Sequence, residues 1–262
     1  VQSLRPTKAP YYIYVVNQGN AYGDNGGETL TVIDPRYAGN AEYANGVVAR
    51  IPVGKNPTDV AVSPDGLLAF VTNTGDGTIS VIDTIGLREL DMNPNTPGLQ
   101  RIAAGSTPGV PDEPVWGHPN YIALHPTLPF GVATDRTSGK IFIFSFTDSR
   151  ASVFDVALDV PVTGLTGVDF SPNGQYIYIA SPGLGSWSGA DDHAPAGYVF
   201  IWDVAQGKTV GVLGGLQKPF GVTRSPIADK PFVAVAVRGS EVFGYTVIDT
   251  TRQTYQLRQA TN

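Results

Sequence analysis

The chain has 262 residues, 42% of them hydrophobic and only 15% charged, with a formal net charge of −6. That length supplies a large core, and the acidic balance argues against a nucleic-acid footprint or an anionic membrane surface. Cysteine is absent, which excludes disulfides, thiolate nucleophiles and Cys-based metal sites.

Residues 1–9 carry no recognisable strand phrase, and the first predicted strand runs over 11–16. A second closes on Val32-Ile33-Asp34, and a third covers 47–53. The next unit opens with Pro57-Thr58-Asp59-Val60-Ala61-Val62-Ser63-Pro64-Asp65-Gly66, where Pro presets a turn and Gly supplies positive φ. Strands over 68–72, at Val81-Ile82-Asp83 and over 100–104 complete it. The same order returns three times. Inner strands end at His125-Pro126, Ser171-Pro172 and Ser225-Pro226, and second strands cover 130–134, 176–180 and 232–237. Third strands contain Ile143-Phe144-Ser145, Ile201-Trp202-Asp203 and Val247-Ile248-Asp249, and fourth strands cover 152–158, 209–213 and 254–258. The β-branched and aromatic residues suit pleated, half-buried surfaces, and no stretch shows a helical apolar period. The fold class is all-β.

Steps of about 46 to 65 residues between copies fit four-stranded blades joined by unequal loops. The expected architecture is a single β-propeller domain over 1–262 with five four-stranded antiparallel blades, near 11–53, 57–104, 119–158, 165–213 and 219–258. An open ring would expose long sheet edges, so closure is expected, with residues 1–9 serving as an irregular strand. No apolar run is long enough to span a bilayer, and no signal peptide is expected in the numbered chain.

Val71-Thr72-Asn73 and Tyr14-Val15-Val16-Asn17, set among the Ser-Pro-Asp-Gly and Val-Ile-Asp phrases, resemble the YVTN family of β-propeller repeats. The resemblance covers nearly the whole chain, is strongest over 54–84 and fades in the third and fifth units. It implies a propeller in a secreted, periplasmic or cell-surface protein. Family members more often have seven blades, and their functions are mixed, so no activity carries over.

Chemistry is expected on one face, where the longest non-repeating segments gather: 17–28, 106–119 and 181–197. The candidate binding face comprises Trp116, His118, Asn120, Trp187, Asp192 and His193, with Asp112, Glu113 and Asp191 nearby. An imidazole beside carboxylates can ligate a metal or polarise water, and a Trp can stack on a sugar. Asp24, Asn25 and Glu28 are hard oxygen donors that suit Ca²⁺ or another divalent metal, although they do not follow the EF-hand pattern. No cofactor is otherwise expected. His125 is read as a turn residue, and Asp34, Asp83, Asp203 and Asp249 as acceptors for turn N–H groups.

Gly-x-Ser-x-Gly, Walker and His-Glu-x-x-His motifs are all missing. The expected function is a noncatalytic binding or assembly module that recognises protein or glycan, as one subunit of a larger assembly or alone. The alternative is a lactonase-, lyase- or dehydrogenase-like propeller enzyme with a metal-assisted site at the channel mouth. No nucleic-acid partner is expected.

Overall fold

The computed structural model describes residues 11–19, 26–104, 119–135, 139–147, 150–157, 164–183, 197–216, 218–227, 230–238, 243–251 and 258–259. Five antiparallel sheets follow one another along the chain. The first holds β1 (Ile13–Gly19), β2 (Gly26–Ile33) and β3 (Val47–Pro52). In the second are β4 (Pro57–Val62), β5 (Leu68–Asn73), β6 (Thr78–Asp83), β7 (Arg88–Glu89) and β8 (Ile102–Ala103). The third comprises β9 (Ile122–Leu124), β10 (Phe130–Thr134), β11 (Lys140–Thr147) and β12 (Arg150–Ala157). The fourth contains β13 (Val168–Phe170), β14 (Tyr176–Ser181), β15 (Gly197–Asp203) and β16 (Lys208–Leu216). The last has β17 (Pro219–Arg224), β18 (Phe232–Arg238), β19 (Phe243–Asp249) and β20 (Arg258–Gln259). Helix among the described residues is limited to two 3-10 turns, Pro35–Tyr37 and Ala41–Gly46.

The turns explain why these strands start where they do. In Ser63-Pro64-Asp65-Gly66 the Ser63 N–H donates to the Leu68 carbonyl at 2.8 Å, and the Leu68 N–H returns to Ser63 Oγ at 3.0 Å. Gly66 sits at φ +74°, a region open to glycine without a Cβ penalty. Ser171 repeats the same two bonds to Tyr176 at 2.8 and 3.0 Å. The aspartates that end third strands accept turn N–H groups: Asp83 from Ile85 and Gly86, Asp203 from Gln206, Asp249 from Thr251. They are local caps.

Two compact units form, Val1–Asn120 with Phe144–Val153, and Tyr121–Ile143 with Phe154–Asn262; the division runs through the third sheet. In the first unit, Leu30, Val32, Ile51 and Val53 of the first sheet pack on Ala69, Val71 and Ile82 of the second. The intervening residue, Phe70, points the other way, with its ring centroid 5.5 Å from Phe144 and 4.5 Å from Phe146. In the second unit, Ile177 and Ile179 join a core with Ala123, Val132 and Ile141, while Tyr178 between them packs with Val233, Val235 and Ile248. Successive strand residues point to opposite faces, so a strand covered on both sides buries every one of them. The half-buried surfaces expected from the sequence are therefore replaced at β5 and β14 by strands buried on both faces.

The second sheet departs from the expected pattern in its fourth strand. Two short pieces share that place: Arg88–Glu89 pairs with Ile82 and Asp83, and Ile102–Ala103 pairs with Thr78 and Ile79. The excursion between them is closed by Met92 N–H donating to the Gln100 carbonyl at 2.9 Å. Arg101 staples its ends, reaching the Glu89 carboxylate through Nε at 2.7 Å and Nη2 at 3.0 Å.

Candidate functional site

Most of the predicted binding face, namely Trp116, His118, Trp187, Asp192 and His193, lies outside the described residues, as do Asp24, Asn25, Asp112, Glu113 and Asp191. Asn120 and Glu28 are described. Glu28 is exposed. Asn120 is buried, and its carbonyl accepts the Thr72 hydroxyl at 2.8 Å and the Thr58 hydroxyl at 2.9 Å. Its backbone thus ties β4 and β5 to the segment at Pro119 and Asn120.

In the first unit this anchoring belongs to a continuous rim. The Asn56 N–H donates to the Gly27 carbonyl at 3.0 Å, Thr74 N–H to the Asn56 carbonyl at 3.2 Å, and Gly75 N–H to the Lys55 carbonyl at 2.9 Å. The Thr74 hydroxyl then donates to the Pro119 carbonyl at 2.9 Å. Gly27 and Pro119, both on this rim, follow residues 20–25 and 105–118 in the chain. Asp76 fixes it further, accepting from Lys55 N–H at 3.0 Å and lying 3.8 Å from Arg101. The buried Asn73 amide donates to Thr78 Oγ1 at 3.0 Å and Ser80 Oγ at 2.9 Å. Sequence reasoning missed Asn56, Thr58, Thr72, Asn73 and Thr74, whose signal was their place at the ends of β4 and β5.

In the second unit the same positions do the same work. The Thr134 hydroxyl, at the place Thr72 holds in its own sheet, donates to the Thr166 carbonyl at 2.8 Å. Thr166 Oγ1 lies 3.2 Å from the Ala180 carbonyl and 3.3 Å from that of Pro219. Gly167 N–H donates to the Phe220 carbonyl at 2.7 Å. At this end of its sheet Ser181 pairs with Tyr198, the two standing on either side of residues 184–196 in the chain.

Three ionisable groups sit at the opposite end of the inner strands in the second unit. Asp169 accepts the Arg224 N–H at 2.8 Å and its guanidinium at 2.9 Å, and Arg224 also donates to the Leu124 carbonyl at 3.0 Å. Burial pushes the Asp169 carboxyl above the usual carboxylate range, against the pull of Arg224. His125 is 5% exposed, its ring 4.6 Å from Phe130 and 5.2 Å from Phe170. Its Nδ1 accepts the N–H groups of Thr127 at 3.2 Å and Leu128 at 2.9 Å, replacing the serine of the other turns.

Burial is the main cause that holds the His125 imidazole below its ordinary value. The unfolded chain therefore binds a proton, at about pH 6.5, that the fold resists. This contribution to stability is present above that pH and lost as pH falls through the folded value. The thermal midpoint should drop between pH 7 and pH 5, and His125→Ser, which restores the repeat's own residue, should shrink that drop. An equal drop in both proteins would remove His125 as its cause.

Among the described residues no group of three His, Cys, Asp or Glu is placed to hold a metal. No helix among them is long and apolar enough to cross a membrane.

No family model matches the chain, and no curated protein matches it in sequence. Solved structures do. Hydrazine synthase of Kuenenia stuttgartiensis aligns over 99% of this chain and 68% of its own, with a TM-score of 0.67 and 18% identity. The WD40 repeats of RRP9 align over 77% of this chain and 50% of theirs, with a TM-score of 0.52 and 18% identity. The fold is a β-propeller. A Bacteroides uniformis protein described as a candidate 6-phosphogluconolactonase adds a TM-score of 0.59 at 16% identity, covering 95% of this chain and 67% of its own. These propellers serve different ends, and at such identities they share the fold alone.

Proposed function

We propose that the chain is a noncatalytic binding or assembly module built on YVTN-type repeats, belonging to a secreted, periplasmic or cell-surface protein. It recognises protein or glycan through loops at one end of its blades, alone or within a larger assembly. One observation carries this reading: Gly27 and Pro119, which in the chain follow two non-repeating segments, lie on one hydrogen-bonded rim that runs through Asn56 and Thr74. A rigid rim presenting variable loops suits recognition. The Thr58, Thr72 and Thr74 hydroxyls of the rim are spent on backbone carbonyls, which favours a scaffold over a reaction centre, while Asn56 Oδ1 and Asn73 Oδ1 are buried without a hydrogen-bond partner.

The test compares the full chain with His118→Ala/His193→Ala and Trp116→Ala/Trp187→Ala on glycan arrays and against extracellular-matrix and cell-surface protein preparations. Loop truncations should leave the thermal midpoint nearly unchanged and weaken binding at least about tenfold. Stoichiometric, tightly held metal in the purified protein, lost in the histidine variant, would instead favour the metal-assisted enzyme.

A further inference from the structure

The inner strands of the second unit carry two charges at positions that are uncharged in the other repeats. Asp169 stands at the place of Ala61, Ala123 and Thr223, and Arg224 at that of Val62, Leu124 and Phe170. The two meet. Asp169 Oδ1 accepts the Phe170 N–H at 2.8 Å and Arg224 Nη1 at 2.9 Å, while Oδ2 accepts the Arg224 N–H at 2.8 Å. Nη1 of Arg224 also donates to the Leu124 carbonyl at 3.0 Å. One carboxylate and one guanidinium therefore hold the ends of three inner strands, β9, β13 and β17. The pair is partly buried, with the Asp169 side chain 15% exposed and that of Arg224 28%.

We propose that this pair is an acid-releasable clasp: in mildly acid solution Asp169 takes up a proton and lets go of the Arg224 guanidinium. Geometry carries the argument. The groups around the carboxylate are all donors, and a protonated carboxyl is itself a donor through its O–H. A proton on either oxygen therefore sets donor against donor. The N–H groups of Phe170 and Arg224 belong to the backbone of β13 and β17 and stay in place. The guanidinium sits at the end of a flexible side chain and can leave. Arginine keeps its own proton throughout, so the pair changes from neutral to one positive charge. Burial weighs more on Asp169 than the support of Arg224, so the folded chain takes up this proton more readily than the unfolded chain. For this group stability is gained, not lost, as pH falls through the folded value, and release needs no global unfolding. The strands packed against β13 bring few other charges. β17 carries Arg224 alone, and β10 is uncharged. Tyr178 of β14 stands opposite Asp169. His125, at the end of β9, bears on Arg224, and a proton gained there pushes the guanidinium the same way.

The clasp lies at the end of the blades opposite the rim, so its test is independent of ligand binding by the loops. Nitrogen-15 NMR spectra of the full chain, recorded from about pH 7 to about pH 4, should show the Nε–H and backbone N–H signals of Arg224 moving together, with a midpoint above the ordinary aspartate value. Asp169→Asn keeps an acceptor oxygen for the backbone N–H groups but loses the charge. In that variant both signals should already stand at their acid positions at neutral pH and titrate no further. His125→Ser should keep the titration. Signals that stay put across this range, that titrate alike in Asp169→Asn, or that stop titrating in His125→Ser would each overturn the proposal. Thermal melts at neutral pH give a second reading. Asp169→Asn should hold or raise the midpoint, whereas Arg224→Gln strands a buried carboxylate and should lower it, and the double variant should regain most of that loss. A midpoint lowered as far by Asp169→Asn as by Arg224→Gln would make the pair a fixed strut and equally refute the clasp.

Discussion

Gly167→Ala is expected to destabilise the second unit by about 3–5 kcal/mol, enough to lower the thermal midpoint by roughly 10 °C. A Cβ at this position would stand 2.5 Å from the Phe220 carbonyl oxygen, 2.6 Å from the Val222 nitrogen and 2.8 Å from the Gly221 Cα. All three are backbone atoms, so no side chain can swing aside. The inner strands of neighbouring blades would have to separate, breaking the 2.7 Å bond from Gly167 N–H to the Phe220 carbonyl and orphaning both groups. Gly221→Ala is the control. Its added Cβ meets nothing closer than Ala236 Cβ at 3.7 Å, an ordinary contact, and should change stability by less than about 1 kcal/mol. Similar losses in the two variants, measured by thermal melts, would show that strand approach at Gly167 is not the cause.

Phe170→Ala should cost a comparable amount, about 3–5 kcal/mol. The side chain is fully buried, 5.5 Å edge-on from Phe130 and 5.2 Å from His125, in a core shared with Ile177, Ile179 and Trp202. Truncation removes the ring's transfer energy and leaves a void that β-strands on both sides hold open. Urea unfolding followed by fluorescence, to which Trp202 contributes from within that core, should show a lower midpoint at an unchanged slope. The loss should also be non-additive with His125→Ser, because the two rings touch. Additive losses within about 0.3 kcal/mol would mean that the histidine is held by its turn alone.

Legibility in the sequence followed the range of the interactions. Ser63-Pro64-Asp65-Gly66 and Ser171-Pro172-Asn173-Gly174 were readable because their bonds close within five residues. The terminal aspartates were readable for the same reason, each capping a turn two or three residues ahead. Among the described residues the first sheet has three strands, and the sequence carried no inner-strand phrase ahead of them.

The candidate site was legible only as a place. Its segments carry no repeat, and a loop's composition does not dictate its path; of the named residues, Asn120 and Glu28 alone are described. Asn120 was read as a binding residue; what its sequence did not record is that its backbone carbonyl holds Thr58 and Thr72, 62 and 48 positions away.

By itself the sequence determined the repeat, the strands and the turns, since these depend on alternation and on residues a few places apart. Only the tertiary structure decided that β5 and β14 bury both faces, that Arg88–Glu89 and Ile102–Ala103 share one strand position, and that Arg224 reaches Leu124 across 100 residues. Each of these depends on which sheet covers which face. That is set by packing between residues far apart in the chain, where no local pattern records the partner.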